Sequence, residues 1–178
     1  MSRIPFYMTD VFATHRYTGN QLATFLDAGS LSTRDMQQIA IEMNFSETTF
    51  VLSNEAVDGG YDVRIFTPAE EVDFAGHPSL GTAFVIRRYL VRSKVGRVVL
   101  NLKVGQIPVD FSEFPGGDIW MEQQPPEFGE TLECPALSDV LSIPESAFNT
   151  DLPIQEVSTG LPFCIAGLRS MEDLKAAR

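Results

Sequence analysis

Apolar and polar positions alternate in short runs over most of the chain, and turn residues separate the runs. Segments 6–12, 22–26, 48–52, 61–66, 95–102, 107–111 and 119–122 are rich in β-forming residues, and several carry the two-residue period of a half-buried strand, as in Val63-Arg64-Ile65. Thr18-Gly19-Asn20, Asp27-Ala28-Gly29, Asp58-Gly59-Gly60 and Pro115-Gly116-Gly117 are the turns between them. Two stretches follow a helical period instead. In 33–43, Met36, Ile39, Ala40 and Met43 fall on one face. Ser32 is the expected N-cap, Asp35 suits the helix dipole, and Leu31 with Met36 forms a hydrophobic staple. The second helix is expected to start at Pro78, a residue suited to the first helical position. Its apolar residues from Leu80 through Val91 lie on most sides, which predicts burial. Small residues Ser79, Gly81 and Thr82 leave its first turn open, as an anion site requires.

The pattern changes after Met121. Gln123-Gln124-Pro125-Pro126-Glu127 reads as a linker. Short helices are expected over 136–141 and 144–148, strands over 154–158 and 163–168, and a last helix from Met171. The fold class is therefore α+β, with residues 1–122 as one complete unit and 123–178 as a linker and the start of a second.

Charge removes several functions. Lys and Arg number 13 against 24 Asp and Glu, a net −11, so neither a nucleic-acid face nor docking on an anionic membrane surface is expected. No apolar stretch approaches the roughly 18 residues of a membrane span, and the N-terminus carries no signal-peptide pattern. The expected location is the cytoplasm. Two cysteines, Cys134 and Cys164, make neither a disulfide framework nor a zinc signature. No metal site is expected.

Candidate chemistry concentrates in three segments: Gly19-Asn20-Gln21-Leu22-Ala23, Ser46-Glu47-Thr48, and the run from Phe74 through Ala83. Glu47 lies where the first helix gives way to a strand. A solvated loop carboxylate is the commoner fate of such a residue; partial burial would make it a general acid/base. His77 at a helix entrance is either a packing or capping histidine or an acid/base in the physiological range. Gly76 is either a turn glycine or a point of close backbone approach. Asp73 fits local capping or pairing, and His15 fits a solvated loop.

Ser46-Glu47-Thr48 followed by Ala75-Gly76-His77-Pro78-Ser79-Leu80-Gly81-Thr82-Ala83 resembles the PhzF-like isomerases of phenazine biosynthesis. Gly19-Asn20 and Val157-Ser158-Thr159-Gly160-Leu161-Pro162 resemble that family's patterns too, although Gln21 stands where proline is usual. The resemblance implies a diaminopimelate-epimerase-like fold: two halves, each a mixed sheet around a central helix, with the active site between them. It implies a cofactor-independent isomerase or epimerase that moves a proton on a small carboxylate-bearing metabolite. Glu47 matches the catalytic acid/base. Gly76 and His77 match substrate-binding positions, and Ser46 and Asn20 are read with them. Related racemases use a thiol pair at their helix entrances. Here His77-Pro78 stands at the first such place, Cys134 falls in the linker and Cys164 in a strand, so a two-thiol mechanism is disfavoured. The family's second helix-entrance motif, an acidic Glu-Asp-Pro followed by an Ala-Thr-Gly-Ser turn, does not occur, so the chain is expected to be a C-terminally truncated member with uncovered strand surface, associating as a homodimer. The alternative expectation is a relative that binds a small acid or a protein partner without turnover.

Overall fold

The computed structural model describes residues 3–93, 95–112 and 117–178; the turn expected at Pro115-Gly116 lies outside them. The chain divides into two units, Met1–Gln123 and Gln124–Arg178.

In the first unit the elements are β1 (Phe6–Val11), β2 (Asn20–Phe25), α1 (Thr33–Met43), β3 (Glu47–Val51), β4 (Tyr61–Phe66), β5 (Glu71–Val72), α2 (Gly76–Val85) continued by a π-helical segment (Ile86–Val91), then β6 (Arg97–Leu102), β7 (Gly105–Phe111) and β8 (Ile119–Met121). The strands form one mixed sheet in the order β1-β2-β3-β4-β6-β7-β8, with β5 added on β4. Two pairs are parallel: β2 with β3, and β4 with β6 through Tyr61↔Leu100 and Asp62↔Asn101. Helix α2 touches β1, β2, β3, β6, β7 and β8, so the sheet curls around it. This is the α+β arrangement expected from the sequence.

Each face of the sheet has its own core. Ala83 and Val85 of α2 and Ile86 of its π-helical continuation pack on Val63, Ile65, Leu100, Ile107 and Val109. On the other face, Met36 and Ala40 of α1 pack on Ala23, Phe25, Phe50 and Phe66. Stacking continues from Phe6 through Phe25 to Phe50 at 5.0 and 5.2 Å between ring centroids. Each fully buried large apolar side chain, such as Phe50, Phe66 or Ile107, contributes about 1.5–3 kcal/mol.

Burial of α2 is less complete than its composition predicts. Phe84 and Tyr89 are 41% and 37% exposed. Tyr89 stacks on Tyr7 at 3.8 Å. Phe84 lines a cleft of about 700 Å³ with Phe12 and Trp120, between the terminal strands β1 and β8. Gly81 is small for a packing reason: a Cβ there would lie 2.6 Å from Leu22 Cδ2 and 2.9 Å from Val11 Cγ2.

The second unit holds β9 (Glu127–Thr131), α3 (Cys134–Leu141), a single 3₁₀ turn (Glu145–Ala147), β10 (Gln155–Ser158), β11 (Pro162–Ile165) and α4 (Met171–Ala176). Its three strands form an antiparallel sheet with β10 in the centre. Ile143, Ala147, Phe148 and Ile154 form its core, with Leu137, Leu141 and Leu168 against them. The sequence-based linker ends sooner than expected, because β9 begins at Glu127. Cys134 is not a linker residue: it is the first residue of α3, where Pro135 favours a helix start. Cys164 lies exposed in β11.

Candidate active site

Three chain starts meet in the first unit. Helix α1 ends at Asn44, whose left-handed conformation (φ 53°, ψ 30°) turns the backbone while its N–H bonds Ala40 O at 3.1 Å. Three residues later Glu47 opens β3. Strand β2 opens at Asn20, directly after Gly19 at φ 91°. A Cβ on Gly19 would collide with the Val11 carbonyl, so the turn before Asn20 requires glycine. The parallel register Leu22↔Glu47 then sets the starts of β2 and β3 side by side.

The third start is α2. It begins at Gly76, two residues earlier than expected, so His77 is helical and Pro78 is third. The proline is tolerated because first-turn N–H groups have no intrahelical acceptor. Ala75, the N-cap, has no side-chain oxygen to offer. The positive end of the helix dipole therefore stays uncapped beside His77.

His77 Nε2 faces Glu47 Oε2 at 3.4 Å, with side chains 9% and 19% exposed. Among the described residues neither atom has a hydrogen-bond partner. On the other edge of the ring, Nδ1 lies 3.3 Å from Asn20 Nδ2. Asn20 Oδ1 in turn accepts from the Ser46 hydroxyl at 3.4 Å. Gly76 leaves open space: a Cβ there would meet only Met121 Cε, at 3.8 Å. Burial raises the Glu47 carboxyl pKa above its ordinary 4.5. It lowers that of His77 below 6.5, against a backbone hydrogen bond to Gln21 that works the other way. Both shifts come from burial and favour the neutral forms, moving the two pKa values in opposite directions from 4.5 and 6.5. The upward shift of Glu47 is the direction an acid/base group near neutrality needs.

Glu47, Ser46, Asn20, Gly76 and His77 thus gather at one place, from three segments. Other residues sort differently. Asp73 pairs with Lys103 at 3.3 Å, a partner distant in sequence, and Lys103 also reaches Glu71 at 3.3 Å. Exposed His15 bonds Thr14 Oγ1 at 3.0 Å. Two features escaped the sequence reading. One is the Gln21 backbone against the His77 ring. The other is a buried hydroxyl chain, Thr82 to Thr49 at 2.8 Å and Thr49 to Thr24 at 3.0 Å, which ties α2 to β3 and β2. Neither carries a local signal, because the partners are far apart in the chain.

Comparison with known proteins identifies the family and the fold. The family model described as phenazine biosynthesis-like protein matches residues 9–178. Trans-2,3-dihydro-3-hydroxyanthranilate isomerase of Pseudomonas aeruginosa is 36% identical over 173 residues, 96% of this chain and 59% of the isomerase. Among solved structures, a predicted epimerase of Pseudomonas aeruginosa superposes with TM-score 0.86 at 32% identity, over 99% of this chain and 63% of that one. A PhzF-family phenazine biosynthesis protein of Bacillus anthracis superposes with TM-score 0.83 at 27% identity, over 100% and 60%. The chain therefore spans about three fifths of the length of these relatives. A mixed sheet curled about a central helix is the diaminopimelate-epimerase-like architecture that the resemblance implied. The chain belongs to the phenazine biosynthesis-like, PhzF-type family.

Proposed function

We propose that this chain carries the acid/base wall of a cofactor-independent isomerase or epimerase acting on a small carboxylate-bearing metabolite. The observation behind the reading is the facing of Glu47 and His77 at 3.4 Å beside an uncapped helix entrance. Glu47 takes a proton from a carbon next to the substrate's electron-withdrawing group and returns it at another position. Its half-buried setting weakens its hold on water and raises its basicity. The α2 entrance draws negative charge on the substrate, and the small Gly76 leaves room for a close approach. Ser46, Asn20 and His77 orient the acid. Residues 1–122 act as the first half of such an enzyme, and 123–178 as the opening of the second.

The name of the 36% identical relative supplies the first substrate to try, trans-2,3-dihydro-3-hydroxyanthranilate. Turnover in D₂O places deuterium on carbon in the product, and Glu47→Gln removes it. Deuterium incorporation that survives Glu47→Gln rules out this role for Glu47.

A second reading is binding of a small acid or a protein partner without turnover. Under that reading substrate analogues raise the melting temperature and no product forms. Both readings expect self-association. Phe12, Trp120, Phe128, Phe163 and Ile165 are all more than half exposed. Light scattering over a concentration series reports a dimer, and a monomer throughout removes this expectation.

A further inference from the structure

The geometry points to Asn20 as a positioning residue that holds the His77 imidazole in its Nε2–H tautomer, with the N–H on the ring edge nearest Glu47. A neutral imidazole has one N–H and one bare nitrogen, and the neighbours of each nitrogen decide which is which. Ser46 Oγ donates to Asn20 Oδ1, which turns the amide so that its NH₂ faces His77 Nδ1 at 3.3 Å. An amide NH₂ only donates. Nδ1 must therefore be the bare nitrogen, and the proton sits on Nε2. On the opposite edge Nε2 lies 3.4 Å from Glu47 Oε2, close but without the geometry of a hydrogen bond, so the tautomer rests on the Asn20 side. The Gln21 backbone also bonds the ring and raises its pKa, so it is the rival acceptor for a ring N–H that the Asn20 contact must outweigh.

The consequence rests on the acid/base reading of Glu47. A neutral His77 then places its N–H within 3.4 Å of one carboxylate oxygen, where a small rotation of either side chain completes the bond and leaves the other oxygen to exchange protons with substrate. Asn20, first read as a substrate-binding residue, acts instead through His77, much as an orienting group sets the tautomer of a catalytic imidazole.

The test is made on the free ¹⁵N-labelled chain, by long-range ¹H–¹⁵N correlation of its imidazole rings. The chain has two histidines, and exposed His15, whose Nδ1 contacts the neighbouring Thr14 hydroxyl at 3.0 Å, provides a solvent-exposed reference ring within the same sample. Wild-type His77 is expected to show a bare Nδ1 and a fully protonated Nε2, beyond the mixed pattern of His15. Asn20→Asp puts an acceptor at Nδ1 and should invert the pattern, whereas Asn20→Ala should relax it toward that of His15. A protonated Nδ1 in the wild type overturns the inference, and so does a wild-type pattern no different from that of His15. An Asn20→Asp chain that folds and keeps Nε2–H overturns it as well. If that variant fails to fold, the wild-type spectrum alone decides. The measurement needs no turnover, so an inert Glu47 in the deuterium experiment and a wrong tautomer here are separate failures.

Discussion

The entrances of α1 and α2 solve the same problem in opposite ways. Helix α1 begins with a complete capping box: Ser32 Oγ accepts from the Asp35 N–H at 3.1 Å, and the Asp35 carboxylate accepts from the Ser32 N–H at 3.3 Å. The Asp35 carboxylate also takes the Ser32 hydroxyl at 2.7 Å and its pKa is lowered by these bonds. Helix α2 begins with Ala75, Gly76, His77 and Pro78, which offer no cap and no acidic first turn. A helix that only supports the sheet satisfies its own end. The helix at the site leaves its end unsatisfied, and a ligand is the natural partner for it.

Four perturbations break or sharpen this contrast. The largest effect is expected at Glu47. Loss of a general acid/base lowers turnover by about 10²–10⁴-fold, so Glu47→Gln should reduce isomerisation to that extent in a steady-state assay. Stability should move the other way. A carboxyl whose folded pKa is raised above 4.5 contributes fully below that value, and the contribution erodes as pH rises through the raised value. The Gln variant escapes this erosion and should melt higher than wild type at neutral pH. A lower melting temperature there would mean that ionised Glu47 is well stabilised.

Next comes a cap installed where α2 lacks one. Ala75 already has N-cap backbone geometry (φ −153°, ψ 139°). Ala75→Ser should gain about 0.5–2 kcal/mol of helix stability by its hydroxyl bond. By occupying the same donors it should weaken carboxylate binding roughly tenfold, about 1.4 kcal/mol. Calorimetric titration with a substrate analogue reads the second effect, and unchanged affinity would separate the helix entrance from the binding site.

The converse change, Ser32→Ala, removes the cap α1 has. It should cost about 0.5–2 kcal/mol in denaturant midpoint and leave ligand affinity alone. Any loss of affinity would mean that α1 reaches the site through Asn44 and Glu47.

The smallest effect concerns pH. Burial lowers the His77 pKa below 6.5, so its contribution is complete above 6.5 and is lost as pH falls through the lowered value. The His77 contribution should begin to fall just under pH 6.5, opposed by the Glu47 contribution, which grows as pH falls through its raised value. The carboxyls of Asp35, Glu71 and Asp110, all lowered by their bonds, enter only at more acid pH. His77→Asn should flatten the first limb and spare the second.

Much of the first unit could be read from local pattern. Helix α1 runs over Thr33–Met43 with the Ser32 cap, and β4 runs over Tyr61–Phe66, both as expected, because one amphipathic period and one capping box are sufficient there. What local pattern lacks is tertiary. The two-residue β5 exists only because β4 pairs with it at Ile65↔Val72 and Phe66↔Glu71. Strand β9 is exposed along its whole length and is held by its pairing with β10, so no hydrophobic period announces it. Gly81 looked like an open first turn and is instead a contact with Leu22 and Val11. At the site, residue types and family motif singled out Glu47, Gly76 and His77. The bonds that orient them, Asn20 to His77 and Ser46 to Asn20, join residues 57 and 26 positions apart.

The buried threonine chain has one more consequence. Aliphatic packing resists compression but tolerates small rotations, because dispersion contacts have little directional preference. A hydroxyl donating to a hydroxyl does have direction. Thr82 to Thr49 at 2.8 Å, continued to Thr24 at 3.0 Å, works like a key in a shaft: it sets the angular position of α2 about its own axis against two strands. His77 lies on the same helix, five residues earlier, and inherits that setting. Aim at one end of the helix is thus fixed by an interlock in its middle, in the dry interior where solvent cannot compete for the bonds.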